Sequence, residues 1–157
     1  MSEWVEAGSR APDFTLPSDD GTKLKLSAKR GGPVVLYFYP RDMTPGCTRE
    51  ACAFRDSHKA LTKLGVTVLG VSTDNVTSHE RFRDKYHLNF PLLADTGHKV
   101  AEKYGAWREK NMYGKKSMGI QRSTFLIDRD GKVARTWKKV NVDGHDAEVI
   151  EAIKQLA

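Results

Sequence analysis

The stretch Val34-Val35-Leu36-Tyr37-Phe38-Tyr39 is followed at once by Pro40-Arg41-Asp42-Met43-Thr44-Pro45-Gly46-Cys47. Its first six residues are apolar and rich in β-branched and aromatic side chains, which is typical of a strand buried on both faces. From residue 48 to residue 64 apolar positions recur at helical spacing, and Gly65 stands where a C-terminal cap is expected. The sequence therefore predicts a central strand, a short loop and a helix with Cys47 at its N-terminus.

Further strands and helices are predicted before and after this strand–loop–helix segment. Residues 14–16 and 23–26 flank a turn and predict an N-terminal β-hairpin. Residues 66–71 predict a second buried strand, and helical patterns follow at residues 78–87 and 98–104. Strand, helix, strand and helix in this order imply a parallel sheet.

The last third of the chain adds antiparallel structure. We expect a loop from residue 106 to residue 121, whose unusual length hints at a functional role. Residues 123–128 and 132–140 predict a second hairpin, and an amphipathic helix is expected over residues 147–156. The predicted fold class is α/β, with a mixed central sheet flanked by helices, and the order of elements resembles the thioredoxin fold.

Composition limits the classes of protein that this chain can belong to. Its 157 residues, 39% hydrophobic and 29% charged, suit one soluble domain over residues 1–157. No apolar run approaches the roughly 20 residues that span a bilayer, and the N-terminus lacks the pattern of a signal peptide. Two cysteines are too few for a secreted disulfide scaffold. We therefore expect a cytoplasmic protein that does not bind membranes.

The basic charge raises the question of nucleic-acid binding. The formal net charge is +6. However, no basic run exceeds two residues, and acidic residues are interspersed in the helical segments, as on a solvated surface. We do not expect a nucleic-acid partner.

Cys47 is the best candidate for a reactive group. The unpaired N–H groups and the dipole of a helix N-terminus favour a thiolate over a thiol. Gly46 has no side chain and Pro45 fixes one backbone dihedral, so backbone N–H groups can come close to a bound oxygen atom. Thr44 adds a hydroxyl donor nearby.

Cys52 is the only other cysteine. Within one regular helix, the Cα atoms of Cys47 and Cys52 would lie about 8.7 Å apart, beyond the bridging limit of about 7 Å. A disulfide between them would therefore require local unwinding, which would act as a redox switch in conformation.

Simpler interpretations stay open on these residues alone. Both cysteines can be buried, inert thiols. A zinc site would need two more ligands, and only His58 lies on the same helix. A general disulfide exchanger would ordinarily carry Cys-x-x-Cys, which this spacing does not match. The histidines show no ligand pattern, and no role is assigned to them: His58, His79, His87, His98 and His145.

Several motifs together resemble those of the peroxiredoxin family. Pro40-x-x-x-Thr44-x-x-Cys47 is similar to its active-site signature, and the segment from Thr44 to Cys52 resembles the bacterioferritin comigratory protein, or peroxiredoxin Q, branch. The resemblance extends over nearly the whole chain, through Gly8-x-x-Ala11-Pro12-x-Phe14, Leu36-Tyr37-Phe38-Tyr39-Pro40, Tyr113-Gly114-Lys115-Lys116 and Arg122-Ser123-Thr124-Phe125-Leu126-Ile127-Asp128.

The resemblance implies a thiol-specific peroxidase that uses no metal, haem or flavin. Cys47 would attack hydrogen peroxide or an organic hydroperoxide, and its sulfenic acid would condense with Cys52 to a disulfide. Arg122 would stabilise the thiolate and orient the peroxide together with Thr44. Pro40 would shield the site from water, and Glu50 would help to hold the arginine.

The resemblance also implies a reductant, either thioredoxin or a glutaredoxin. We expect a monomer, because an intramolecular cysteine pair needs no partner subunit. The competing class is a non-enzymatic redox sensor or a chaperone-like binding module, in which the same disulfide alters a partner contact. Steady turnover with a reductant favours the enzyme, whereas a single slow oxidation favours the sensor.

Overall fold

A five-stranded mixed sheet forms the centre of the computed structural model, which describes residues 3–156. The strands of the fold are β1 Thr15–Pro17, β2 Lys23–Lys25, β3 Val34–Phe38, β4 Thr67–Ser72, β5 Leu92–Ala94, β6 Trp107–Met112, β7 Lys115–Ile120, β8 Ser123–Ile127 and β9 Val133–Trp137. The order of strands in the central sheet is β5-β4-β3-β8-β9, with β3 parallel to β4 and antiparallel to β8. The helices are α1 Pro45–Asp56, α2 His58–Lys63, α3 Val76–Tyr86, α4 Lys99–Tyr104 and α5 His145–Lys154, and a short 3-10 helix spans Leu26–Lys29.

Strand β3 lies in the middle of the sheet, and all five of its residues are buried. Its alternate side chains enter two separate hydrophobic cores. Leu36 and Phe38 belong to the core on one face, while Val35 and Tyr37 belong to the core on the other face, beneath α1. The predicted α/β class, the mixed sheet and the N-terminal hairpin of β1 and β2 are confirmed.

The expected loop at residues 106–121 is wrong, because this segment is the antiparallel hairpin of β6 and β7. Its turn, Tyr113-Gly114, has positive φ at both positions, as a two-residue hairpin turn with right-handed strand twist requires. Most side chains of both strands are polar and at least partly exposed. Strict apolar–polar alternation, which identifies a half-buried strand in a sequence, is therefore missing here.

The helix expected after Cys47 is divided into α1 and α2 at Ser57. Three hydrogen bonds fix the C-terminal end of α1 to the rest of the fold. Arg55 Nη1 donates to the carbonyl of Tyr86 at 2.7 Å, and Asn89 Nδ2 donates to the carbonyl of Arg55 at 3.2 Å. The Ser57 hydroxyl donates to Asp146 of α5 at 2.6 Å. The N-terminal end of α1, which carries Cys47, follows the loop after β3.

Within residues 3–156, no helix is both long enough and apolar enough to cross a membrane.

Candidate active site

Cys47 is the third residue of α1 and lies beyond the carboxyl end of β3. Thr44 is the N-cap residue of the helix and has an extended backbone. Pro45 lies in the first turn, where a backbone N–H would have no partner within the helix, so its absence breaks no hydrogen bond. Only 1% of Cys47 is exposed, and its thiol is free. The position of Cys47 at a helix N-terminus, predicted from the sequence, is thus confirmed.

Arg122 reaches this thiol from the segment between β7 and β8. Its Nη2 donates to Cys47 Sγ at 3.2 Å, and its Nη1 donates to Glu50 Oε1 at 2.6 Å. One planar guanidinium therefore bridges the thiol and a carboxylate of the same helix, a geometry that a lysine ammonium cannot reproduce.

Glu50 lies one turn after Cys47, and 1% of its side chain is exposed. Burial raises the pKa of Glu50 to about 7, and the charge and hydrogen bond of Arg122 limit that rise. Its second oxygen, Oε2, has no hydrogen-bond partner among the described residues. The negative charge of Glu50 is therefore gained or lost near neutral pH.

Gly46 leaves room for the arginine. A Cβ atom at this position would lie 3.2 Å from Arg122 Nη2, closer than most real Cβ contacts. A larger residue before Cys47 would therefore press on the guanidinium that binds the thiol.

Thr44 and Pro40 lie in the loop between β3 and α1, and both are partly exposed. The Thr44 hydroxyl donates to the carbonyl of Arg41 at 2.9 Å, and the Thr44 carbonyl accepts from the backbone N–H of Thr48 at 2.9 Å. The hydroxyl oxygen still has acceptor capacity, and its proton can rotate towards a bound molecule. The structure thus brings Thr44, Cys47 and Arg122 to one end of α1.

Cys52 lies on the same helix as Cys47 and is partly exposed. Because both residues are inside α1, the expected separation of about 8.7 Å between their Cα atoms applies. The two thiols are free in this conformation.

Two features of the site were not predicted from the sequence. Lys110 of β6 is partly buried, and its pKa is lowered by burial and by the charge of Arg122, while the charge of Cys47 acts in the opposite direction. His79, to which the sequence assigned no role, is fully buried against Asp42 of the loop before α1. Neither residue belongs to a recognisable sequence pattern, because only the fold brings them to this region.

The comparisons with known proteins agree with this geometry. Residues 7–136 match the model of the AhpC/TSA family. A putative peroxiredoxin Bcp of Coxiella burnetii is 53% identical over 146 residues, which cover 93% of this chain and 97% of that protein. Peroxiredoxin Bcp of Bacillus subtilis is 48% identical over 153 residues, covering 98% of each chain.

Solved structures show the same relationship. A bacterioferritin comigratory protein of Xanthomonas campestris, studied for its alkyl peroxide reduction activity, matches with a TM-score of 0.90 and 40% identity, covering 96% of this chain and 99% of its own. A cysteine-to-serine mutant of Xanthomonas campestris peroxiredoxin Q matches with a TM-score of 0.91 and 41% identity, covering 98% of this chain and 100% of its own. The chain therefore belongs to the AhpC/TSA family, as a peroxiredoxin of the Bcp, or peroxiredoxin Q, group with a thioredoxin-like fold.

Proposed function

We propose that this peroxidase reduces hydrogen peroxide and small organic hydroperoxides with Cys47 as the attacking thiol and Cys52 as the resolving thiol. The observation that carries this assignment is the contact of Arg122 with both Cys47 and Glu50. Through this contact, a guanidinium held in place by Glu50 lies beside a buried thiol at a helix N-terminus. A nearby cation and a helix N-terminus are features that activate cysteine nucleophiles.

In the first step, the Cys47 thiolate attacks the terminal oxygen of the hydroperoxide, and the O–O bond breaks. The sulfur loses two electrons and becomes a sulfenic acid, while the other oxygen takes a proton and leaves as water or an alcohol. Arg122 and Thr44 donate hydrogen bonds to the reacting oxygens, where negative charge develops. Pro40 limits the access of water from the side of the loop.

In the second step, the Cys52 sulfur attacks the sulfenic sulfur of Cys47, and the S–O bond breaks with release of water. The distance between the two positions in α1 means that the first turns of this helix must unwind before the bond forms. The hydrogen bonds of Arg55 and Ser57 lie beyond Cys52 and can persist during this change.

An external dithiol must return the disulfide to the reduced state, and we propose thioredoxin or a glutaredoxin for this role. The unwound segment between Cys47 and Cys52 is the place where its thiolate would attack. The pair is intramolecular, which suits a monomer, and its need for recycling suits a reducing cytoplasm.

The test is the intact mass of the reduced protein before and after one equivalent of hydrogen peroxide. Wild-type protein is expected to lose two hydrogen atoms. Cys47→Ser is expected to have no peroxidase activity, and Cys52→Ser is expected to react once but to recycle poorly. Substantial turnover by Cys47→Ser would contradict the assignment of the attacking thiol.

A steady-state peroxidase assay with thioredoxin as the reductant separates the enzyme from a redox sensor. Steady turnover with thioredoxin supports the peroxidase, whereas one slow oxidation without recycling would support a sensor. Unchanged turnover of Cys52→Ser with thioredoxin would show that another thiol resolves the intermediate.

A further inference from the structure

Asp42 is the centre of a buried hydrogen-bond network next to the active site. It lies in the loop between β3 and α1 and is 6% exposed. Its Oδ1 accepts from the Tyr39 hydroxyl at 2.6 Å, and its Oδ2 accepts from the Ser78 hydroxyl at 2.8 Å. The same Oδ2 lies 2.7 Å from His79 Nδ1. A carboxylate so enclosed cannot move without breaking several hydrogen bonds at once.

His79 joins this network to the central sheet. It is fully buried in α3, and its Nε2 lies 2.9 Å from the carbonyl oxygen of Leu93 in β5. A carbonyl only accepts hydrogen bonds, so Nε2 carries a proton and donates. The imidazole therefore forms a rigid link from the backbone of β5 to the side chain of Asp42.

The backbone of Asp42 is held as firmly as its side chain. Its N–H donates to Asp74 Oδ2 at 2.8 Å, and the same oxygen accepts from the Ser72 hydroxyl at 2.7 Å. Ser72 is the last residue of β4. The loop is thus anchored to the carboxyl ends of two strands, β4 and β5, and to the start of α3.

The residue that follows Asp42 has an unfavourable backbone conformation. Met43 has φ of 68°, in the left-handed region that side chains other than glycine rarely adopt, and 40% of it is exposed. No burial of its own side chain explains this conformation. The anchored Asp42 on one side and the cap of α1 at Thr44 on the other side do explain it.

We propose that the Asp42–His79 pair is a positioning device, which holds residues 40–44 in a strained conformation so that the Thr44 hydroxyl faces the bound peroxide. This inference rests on the proposed roles of Cys47 and Thr44. The pair touches neither thiol nor peroxide, so it acts on the orientation of the peroxide and leaves the Arg122 contact with Cys47 unchanged.

A metal site is the other use that this cluster suggests. One ligand atom each from Asp42, Asp74 and His79 lies within 4.8 Å of the others. However, the carboxylate oxygens that would bind the ion already accept hydrogen bonds from the hydroxyls of Ser78 and Ser72 and from the backbone N–H of Asp42. These oxygens therefore have hydrogen-bond partners within the network, as expected for a cluster with a structural role.

Two reactions of Cys47 separate positioning from thiol activation. Oxidation by hydrogen peroxide needs the oriented peroxide, whereas alkylation of Cys47 by iodoacetamide, measured at this residue by peptide mass spectrometry, needs the thiolate but no oriented peroxide. In Asp42→Asn and His79→Gln we expect single-turnover oxidation to slow about 10-fold or more, because small misplacement of a positioning group is costly. We expect alkylation to change by less than about 2-fold.

The matched control is Asp19→Asn. Asp19 is also 6% exposed and hydrogen-bonded, but its partners include the backbone N–H of Leu92, the first residue of β5, and the guanidinium of Arg83, and not the loop before α1. It is expected to keep the wild-type rates of both reactions. Equal losses of oxidation and alkylation in the Asp42 and His79 variants, or no loss of either, would overturn the proposal. Failure of wild-type protein to react with peroxide would instead contradict the proposed function.

Met43→Gly provides a second test, in which the strain of the loop is removed while the anchor is missing. Glycine adopts positive φ without strain, so the loop should keep its shape with fewer anchors. In the His79→Gln background, or in Ser78→Ala if that protein is unstable, Met43→Gly is expected to restore oxidation by about 3-fold or more. Absence of any recovery would overturn the role of the pair in holding this strained loop.

Discussion

Arg122 Nη2 lies 3.2 Å from Cys47 Sγ, although 75 positions of the chain separate the two residues. The sheet creates this contact, because Cys47 follows the carboxyl end of β3 and Arg122 precedes the amino end of the antiparallel neighbour β8. The register of the two strands, with Phe38 opposite Ser123, therefore determines the distance between thiol and guanidinium.

Arg122→Lys is expected to reduce the rate of Cys47 oxidation by about 100-fold, since a lysine ammonium cannot bridge Cys47 and Glu50 and one directed donor is lost. The measurement is stopped-flow oxidation with hydrogen peroxide. The matched control is Arg135→Lys, because Arg135 lies over the ring of Trp137 at 4.4 Å in β9 and does not contact the thiol. Comparable losses in both variants would contradict the role of Arg122.

Glu50 is expected to make stability depend on pH. The pKa of Glu50 is raised from 4.5 to about 7 by burial, so the folded state binds a proton more tightly than the unfolded state. This contribution to the free energy of unfolding is complete below about pH 4.5 and is lost as the pH rises towards about 7, with a total of at most about 3 kcal/mol.

The comparison that isolates this effect is Glu50→Gln, which has a similar shape but does not titrate. Urea unfolding of both proteins between about pH 4.5 and about pH 8 gives the difference in their free energies of unfolding. As the pH rises, the free energy of unfolding of wild-type protein should fall relative to that of Glu50→Gln. The difference should become constant above the pKa of Glu50. Parallel stability curves for the two proteins would rule out the raised pKa.

Oxidation is expected to unwind the start of α1. Amide hydrogen exchange of the Pro45–Asp56 segment should accelerate after one equivalent of peroxide, because the disulfide requires cysteine Cα atoms closer than this helix allows. Strand β3 should keep its protection. Cys52→Ser is the control, since it is oxidised without forming the disulfide and should retain a protected α1. Unaltered exchange in oxidised wild-type protein would argue against the proposed pair.

Gly105→Ala is expected to destabilise the fold by about 2–4 kcal/mol. Gly105 ends α4 with φ of 84°, and a Cβ atom there would lie 2.5 Å from the Cα atom of Trp4. The matched control is Gly97→Ala, where the nearest atom, Lys99 Cγ, is 3.9 Å from the position of the new Cβ. Thermal unfolding of both variants gives the comparison, and similar midpoints would mean that the N-terminal segment moves away freely.

Much of this fold was predictable because its central elements carry a strong apolar pattern. The run at residues 34–39 enters two cores, so it is apolar at every position, and the helix after Cys47 has buried residues at helical spacing. Strand β5 was missed because three residues, Leu92–Ala94, are too few to show a period. The β6–β7 hairpin was missed because its side chains are largely solvated.

The candidate site was predictable where residues are neighbours in sequence and not where the fold brings them together. Thr44, Gly46 and Cys47 form one continuous segment, so their association was evident. The placement of Arg122 was inferred from the resemblance alone, and the structure provides the contact. His79 resembles any histidine of a polar helix in the sequence, and its burial against Asp42 arises from the packing of α3 on β5.

The hydrogen bonds of Arg55 and Ser57 also affect the time needed for each catalytic cycle. If they hold the last turn of α1 during oxidation, the helix does not have to nucleate again after reduction. It re-forms by elongation from an existing turn, which takes on the order of nanoseconds per residue, whereas nucleation is the unfavourable step of helix formation. Under this condition, re-formation of the helix after reduction is expected to take far less time than a bimolecular encounter with peroxide or with the reductant.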